Sequence, residues 1–199
     1  MYSNRNSITP LVFINIIVFG FTYMFCPSFV YYLALSPSWI IYKHAFWQFI
    51  TYFFMHASFS HLLFNMLALY VFGTEVERRL GTKQFLTFYF LCGILSGVCS
   101  FVVYYLCGQN ALLLGASGSI YGLLLLFSCL YPRSIVYVFG IIPIKAPVLV
   151  LVYFGIELLS QFANDGIAHV THLFGLLIGL LYVMLKLKIN PFEVWKRGY

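Results

Sequence analysis

Three short polar stretches interrupt an otherwise apolar chain: His56-x4-His61-x3-Asn65, Gly115-Ala116-Ser117-Gly118, and His172-x2-Gly175-x3-Gly179. Their residue types are those of nucleophilic acyl transfer. A serine opening a helix sits beside backbone N–H groups that have no intrahelical partner, and such groups can hold a developing oxyanion. A histidine within reach of that hydroxyl can act first as general base and then as general acid. Ser117 and His172 are the candidates. Gly118 and Gly122 are four apart, as are Gly175 and Gly179, so each helix carries a small-residue edge that lets backbones approach closely. His172 lies on the Gly175/Gly179 stripe and Ser117 immediately precedes Gly118, so close packing would bring imidazole and hydroxyl together. Taken singly, these stretches have plainer readings: Gly115 to Gly118 as packing, His172 as a hydrogen-bonded buried histidine.

His61 and Asn65 are four apart and share a helix face. Two hydrogen-bonding side chains on a membrane helix must point at protein or water. They either tie down the preceding loop or, with the Ser117 N–H, form the oxyanion site. Tyr121, one turn beyond Ser117, is placed to stack on the imidazole and orient it. Neither Ser117–Tyr131 nor Ile167–Leu185 holds an Asp or Glu, so the expectation is a dyad without an acidic third member.

The elements that must position these residues follow from composition. Hydrophobic residues make up 62% of the 199, charged residues 8%, and the mean hydropathy is +0.94. That excludes a soluble domain and marks an all-α polytopic membrane protein, expected as one domain over 1–199. Six spans are expected, at roughly Ile8–Phe25, Ser60–Leu80, Phe85–Leu106, Ser117–Tyr131, Val148–Phe162 and Ile167–Leu185. Between the first two, Ser36 to Ala57 is crowded with aromatics and reads as a loop lying in one leaflet. The charged run Gly73 to Gly81 must reach water, and the segment from Arg133 to Pro147 reads as an interfacial connection. Glu157, near the end of span 5, reads as a snorkelling or hydrogen-bonded structural acid. The five cysteines show neither metal-ligand spacing nor a disulfide framework, and no metal is expected.

The net charge of +6 does not signal nucleic acid, because the basic residues sit in loops and tails. With both termini cytoplasmic, ten of the eleven basic residues lie inside and only Lys43 outside. The same orientation puts His61, Ser117 and His172 toward the extracytoplasmic ends of spans 2, 4 and 6. Span 4 is short for the hydrocarbon core, so Ser117 lies below the surface, where irregular backbone must line water or be buried in protein. A water-filled cavity is therefore expected among spans 2, 4, 5 and 6, roofed by the aromatic loop, with Ala116 and Ser119 accessible from outside.

Together the three stretches resemble the rhomboid family of intramembrane serine proteases, over essentially the whole chain, and the Glu77-Arg78-Arg79-Leu80-Gly81 turn is similar to the family's. The resemblance implies Ser117 as nucleophile, His172 as base, His61 and Asn65 as oxyanion donors, and Gly115 in the serine motif. It implies cleavage of single-span membrane substrates in the lipid bilayer, with no metal or cofactor, and a plasma or bacterial inner membrane is expected. His169 competes with His172 for the role of base. The family's base precedes glycines by three and seven residues, and only His172 does so. The loop departs from the family's frequent Trp-Arg, reading Trp47-Gln48, which removes a charged anchor. Two other classes stay in view. A silent rhomboid-like binding protein would typically lack the serine or the histidine. A transporter would show inverted repeats, and none is visible.

Overall fold

The structure is a computed structural model that describes residues 6–138, 140–160 and 168–197. It is mostly helical. In chain order the helices are α1 (Ile8–Met24), α2 (Phe29–Leu33), α3 (Pro37–Lys43) and α4 (Gln48–Thr51), then α5 (Phe59–Ala68) and α6 (Thr74–Leu80). These are followed by α7 (Thr82–Leu106), α8 (Ser117–Leu130), α9 (Ala146–Ser160), α10 (His169–Leu185) and α11 (Pro191–Arg197). A π-helical stretch, Leu69–Gly73, joins α5 and α6 into one helix, Phe59–Leu80. That helix and α7 are long and apolar enough to cross a membrane, while α1, α8, α9 and α10 are shorter apolar helices. The expected ends of spans 5 and 6, at Phe162 and Ile167, lie outside the described residues.

Helix boundaries follow local chemistry. Ser58, extended at φ −151°, accepts from the His61 N–H and caps α5. Gly81, at φ +84°, breaks α6 from α7, a conformation that side chains rarely adopt. Pro37 opens α3 at a first-turn position that needs no N–H donor. At the centre lies α8, buried along eleven of its fourteen residues and packed between α7 and α10. Leu123 and Leu126 there are fully buried with Phe85, Phe88 and Tyr89 of α7 and Val183 of α10.

Three regions differ from the sequence reading. The connection after Arg133 is a two-stranded antiparallel hairpin, β1 (Ile135–Val138) with β2 (Ile142–Lys145). Within the charged run 73–81, Glu77 turns inward. Its carboxylate is 7% exposed and accepts from the Ser7 N–H at 3.0 Å and the Ser7 hydroxyl at 2.8 Å, satisfying the start of α1. Third, the loop keeps an anchor without an arginine. Gln48 is fully buried, accepts from the Ser36 N–H at 3.0 Å, and donates to the carbonyls of Tyr31 and Tyr32. The Trp47 indole also donates to the Tyr32 carbonyl, at 2.9 Å. A neutral amide supplies both a donor and an acceptor, which a guanidinium cannot.

Candidate active site

The site forms where α8 and α10 touch backbone to backbone. A Cβ built on Gly175 would stand 2.2 Å from the Gly118 carbonyl oxygen, and one on Gly179 would stand 2.8 Å from the Gly122 Cα. Only glycine at these positions lets the helices come this close. Hydroxyls beside the seam find partners. Ser119 donates to the Tyr89 carbonyl at 2.9 Å, and Thr171 bonds Ser100 at 2.8 Å.

This contact brings His172 Nε2 to 2.7 Å from Ser117 Oγ. Tyr121 stacks on the His172 ring, with centroids 4.4 Å apart and planes 10° from parallel. Tyr153 meets Tyr121 edge to face at 5.7 Å and buttresses it from α9. The imidazole is therefore held in one plane by stacking, and one nitrogen faces the serine.

The other nitrogen faces an acid, which corrects the expectation of a dyad without one. Glu157 Oε1 lies 3.0 Å from His172 Nδ1, outside hydrogen-bond alignment. The same carboxylate accepts from the Tyr121 hydroxyl and meets His169 Nδ1 at 2.5 Å. Glu157 is 4% exposed, so it does not snorkel. The signal was available in the sequence. The end of one apolar helix and the start of the next share a side, and Glu157 lies three residues before the described end of α9 while His172 lies in the first turn of α10. An intramembrane carboxylate at such a position is a functional suspect by default.

His61 and Gly115 lie on the other side of Ser117. A Cβ on Gly115 would stand 2.8 Å from His61 Nε2 and 3.7 Å from Ser117 Oγ, so imidazole and hydroxyl flank one face of this glycine. Gly115 also has φ +118°, and its N–H donates to the Tyr52 carbonyl at 3.0 Å, fixing the turn into α8. The Asn65 amide donates to the His61 carbonyl at 2.8 Å and is 6% exposed. One of its two N–H groups is thus engaged in its own helix. His56 packs edge to face on His61 at 5.0 Å. Burial, with the His61 ring as a smaller cause, holds His56 down to about 3, so it stays neutral.

The expected access differs. Ala116 and Ser119 are fully buried, so neither faces an opening. Ser119 is two residues beyond Ser117, roughly 200° around the helix, and points at α7 instead. A cavity of about 270 Å³ opens on the α1 side, lined by Phe19, Thr22, Tyr23, His56, Ala57 and Leu114 among others. Ser117 itself is half-buried.

A family model of the Rhomboid domain matches residues 43–189. YdcA of Bacillus subtilis, whose name includes the words rhomboid protease, is 33% identical over 137 residues, covering 68% of this chain and 64% of that protein. RHOMBOID-like protein 12 of Arabidopsis thaliana, named as mitochondrial, is 32% identical over 138 residues, covering 61% of this chain and 41% of that protein. Rhomboid protease GluP of Bacillus subtilis is 40% identical over 78 residues, 39% of this chain and 14% of that protein. The chain thus spans less than two thirds of the length of these relatives.

Proposed function

The chain belongs to the rhomboid family, and on that premise we propose that it is an intramembrane serine endopeptidase. It cleaves single-span membrane proteins with Ser117 as nucleophile and His172 as base. The observation that carries this reading is the 2.7 Å contact between His172 Nε2 and Ser117 Oγ in a site walled by apolar helices. The rhomboid family is membrane-integral. For this chain the reading is one domain of six spans, made by α1, the continuous 59–80 helix, α7, α8, α9 and α10. Both termini are cytoplasmic, as the basic-residue bias requires. Labelling by a serine-directed phosphonate tests the nucleophile. Attachment at Ser117 supports the reading, and a protein that never labels while cleaving nothing overturns it.

In the proposed reaction His172 Nε2 takes the Ser117 proton as Oγ attacks the scissile carbonyl. The oxyanion that forms is met by the Ser117 N–H at the start of α8 and by His61 across Gly115. The free N–H of the Asn65 amide completes the set. The proton then passes from His172 to the leaving amine, and water hydrolyses the acyl-enzyme by the same steps. Glu157 positions the base. It faces Nδ1, favours the tautomer with its lone pair on Nε2, and stabilises the imidazolium as it forms.

Two outcomes check these roles. Removing one oxyanion donor typically costs about 10²–10³-fold in rate. His61→Ala or Asn65→Ala should therefore slow turnover by that factor while phosphonate attachment persists. Unchanged turnover in both would demote the pair to supports of the loop. Glu157→Gln keeps the shape but lets the tautomer reverse. Cleavage should fall by about tenfold to a hundredfold, less than on removal of the base, and the loss should sit in kcat rather than KM. An equal change in both constants would make Glu157 a packing residue.

A further inference from the structure

Glu157, His169 and His172 offer ligand atoms that all lie within 4.8 Å of one another, and all three side chains are buried. Both imidazoles turn Nδ1 toward the same carboxylate, His169 at 2.5 Å from Oε2 and His172 at 3.0 Å from Oε1. Two imidazole nitrogens and one carboxylate are the donor set of open zinc sites, whose fourth position is left to water. The cluster stands one turn from the described end of α9, at Ser160, and at the first turn of α10. Stacking on Tyr121 fixes the plane of His172, so Nδ1 is preset toward the others. The Tyr121 hydroxyl, bonded to Glu157, orients the carboxylate as second-shell partners of metal ligands do.

We propose that Glu157, His169 and His172 form an inhibitory Zn²⁺ site built onto the back of the catalytic histidine. The inhibitory part rests on the serine-protease reading; the binding part does not. A neutral imidazole binds metal through the nitrogen that carries no proton. Zn²⁺ on Nδ1 of His172 therefore moves that ring's proton to Nε2, the nitrogen 2.7 Å from Ser117 Oγ. The same holds for His169: wherever Nδ1 carries the proton, that N–H breaks and an Nε2–H forms on the same ring. On His172, Nε2 becomes a donor and can no longer accept the serine proton. Zinc thus switches off the base without touching the nucleophile, and a chelator restores it.

The test separates binding from activity. Purified Ser117→Ala protein, which cannot cleave, is dialysed to equilibrium against Zn²⁺, and bound metal is counted. One tightly held ion per chain is expected. Adding His169→Ala or Glu157→Gln should weaken it by more than about a hundredfold, since even second-shell losses cost 10–100-fold. His169→Cys, which keeps a zinc ligand in place, should restore much of the binding. In the active protein, Zn²⁺ should stop cleavage reversibly, and His169→Ala should raise the half-inhibiting concentration by a similar factor relative to its own metal-free rate. No bound ion overturns the proposal, and so does an ion indifferent to both His169→Ala and Glu157→Gln, which is an adventitious ion only. Binding that depends on His169 in a protein with no protease activity would keep the site and defeat the protease reading instead.

Discussion

Ser117→Ala and His172→Ala should each lower cleavage of a single-span substrate by at least about 10⁴-fold, with the protein still folded. The size follows from how the two groups act. The hydroxyl is a poor nucleophile until its proton has an acceptor, and the acceptor is useless without the hydroxyl, so either loss removes the covalent step whole. The structure joins them by one 2.7 Å contact across two helices. Removing the His172 ring leaves Glu157 bonded to Tyr121 and His169, so the buried acid is not orphaned. Unfolding midpoints near the parent value should accompany the loss. Phosphonate should label the parent, fail on Ser117→Ala and slow sharply on His172→Ala. His169→Ala is the discriminating control. Its ring touches Glu157 but not Ser117, so it should keep a readily measured rate. A dead His169→Ala beside an active His172→Ala would show that the base had been wrongly chosen.

Much of this site could be read from residue spacing. The glycine steps at 118/122 and 175/179 imply backbone contact, and glycines at which an added Cβ would stand 2.2 and 2.8 Å from backbone atoms are its physical form. Tyr121 was placed against the imidazole because one helical turn separates it from Ser117. The acid is not legible from spans 4 and 6, because neither carries one. Glu157 comes from a third helix, and only the shared depth of two antiparallel ends connects it to His172. Burial direction is hidden for a related reason. Ala116 and Ser119 are small and near Ser117 in sequence, but helix rotation carries Ser119 to face Tyr89. The β1–β2 hairpin escaped because periodicity says little over four-residue strands. Gln48 shows the limit of residue patterns: the sequence shows that an arginine is missing, while the amide's ability to bridge Ser36 to Tyr31 and Tyr32 depends on loop geometry no spacing encodes.

Gly175→Ala should bring the loss of cleavage close to that of His172→Ala, although alanine performs no chemistry and the site keeps every functional group. The new methyl would start 2.2 Å from the Gly118 carbonyl oxygen, a backbone atom that cannot swing aside. Relief requires α8 and α10 to part by about 1 Å or more, and a misplacement of that size alone costs about 10²-fold. The strain is delivered next to the reacting pair, since Gly118 adjoins Ser117 and Gly175 follows His172 by less than one turn. Once Nε2 leaves hydrogen-bond range of Oγ, the base is functionally absent. Overpacking of this kind also destabilises by about 1–3 kcal/mol, so the unfolding midpoint should drop as well. A graded series separates geometry from general instability. Gly179→Ala meets the Gly122 Cα at 2.8 Å, one turn further from the site, and should lose less activity for a comparable loss of stability. Gly155→Ala meets nothing within 4 Å and should change neither. If instead activity tracks the unfolding midpoint across all three, the seam is a generic packing surface; if Gly175→Ala cleaves at the parent rate, the close approach of α8 and α10 is not what holds His172 against Ser117.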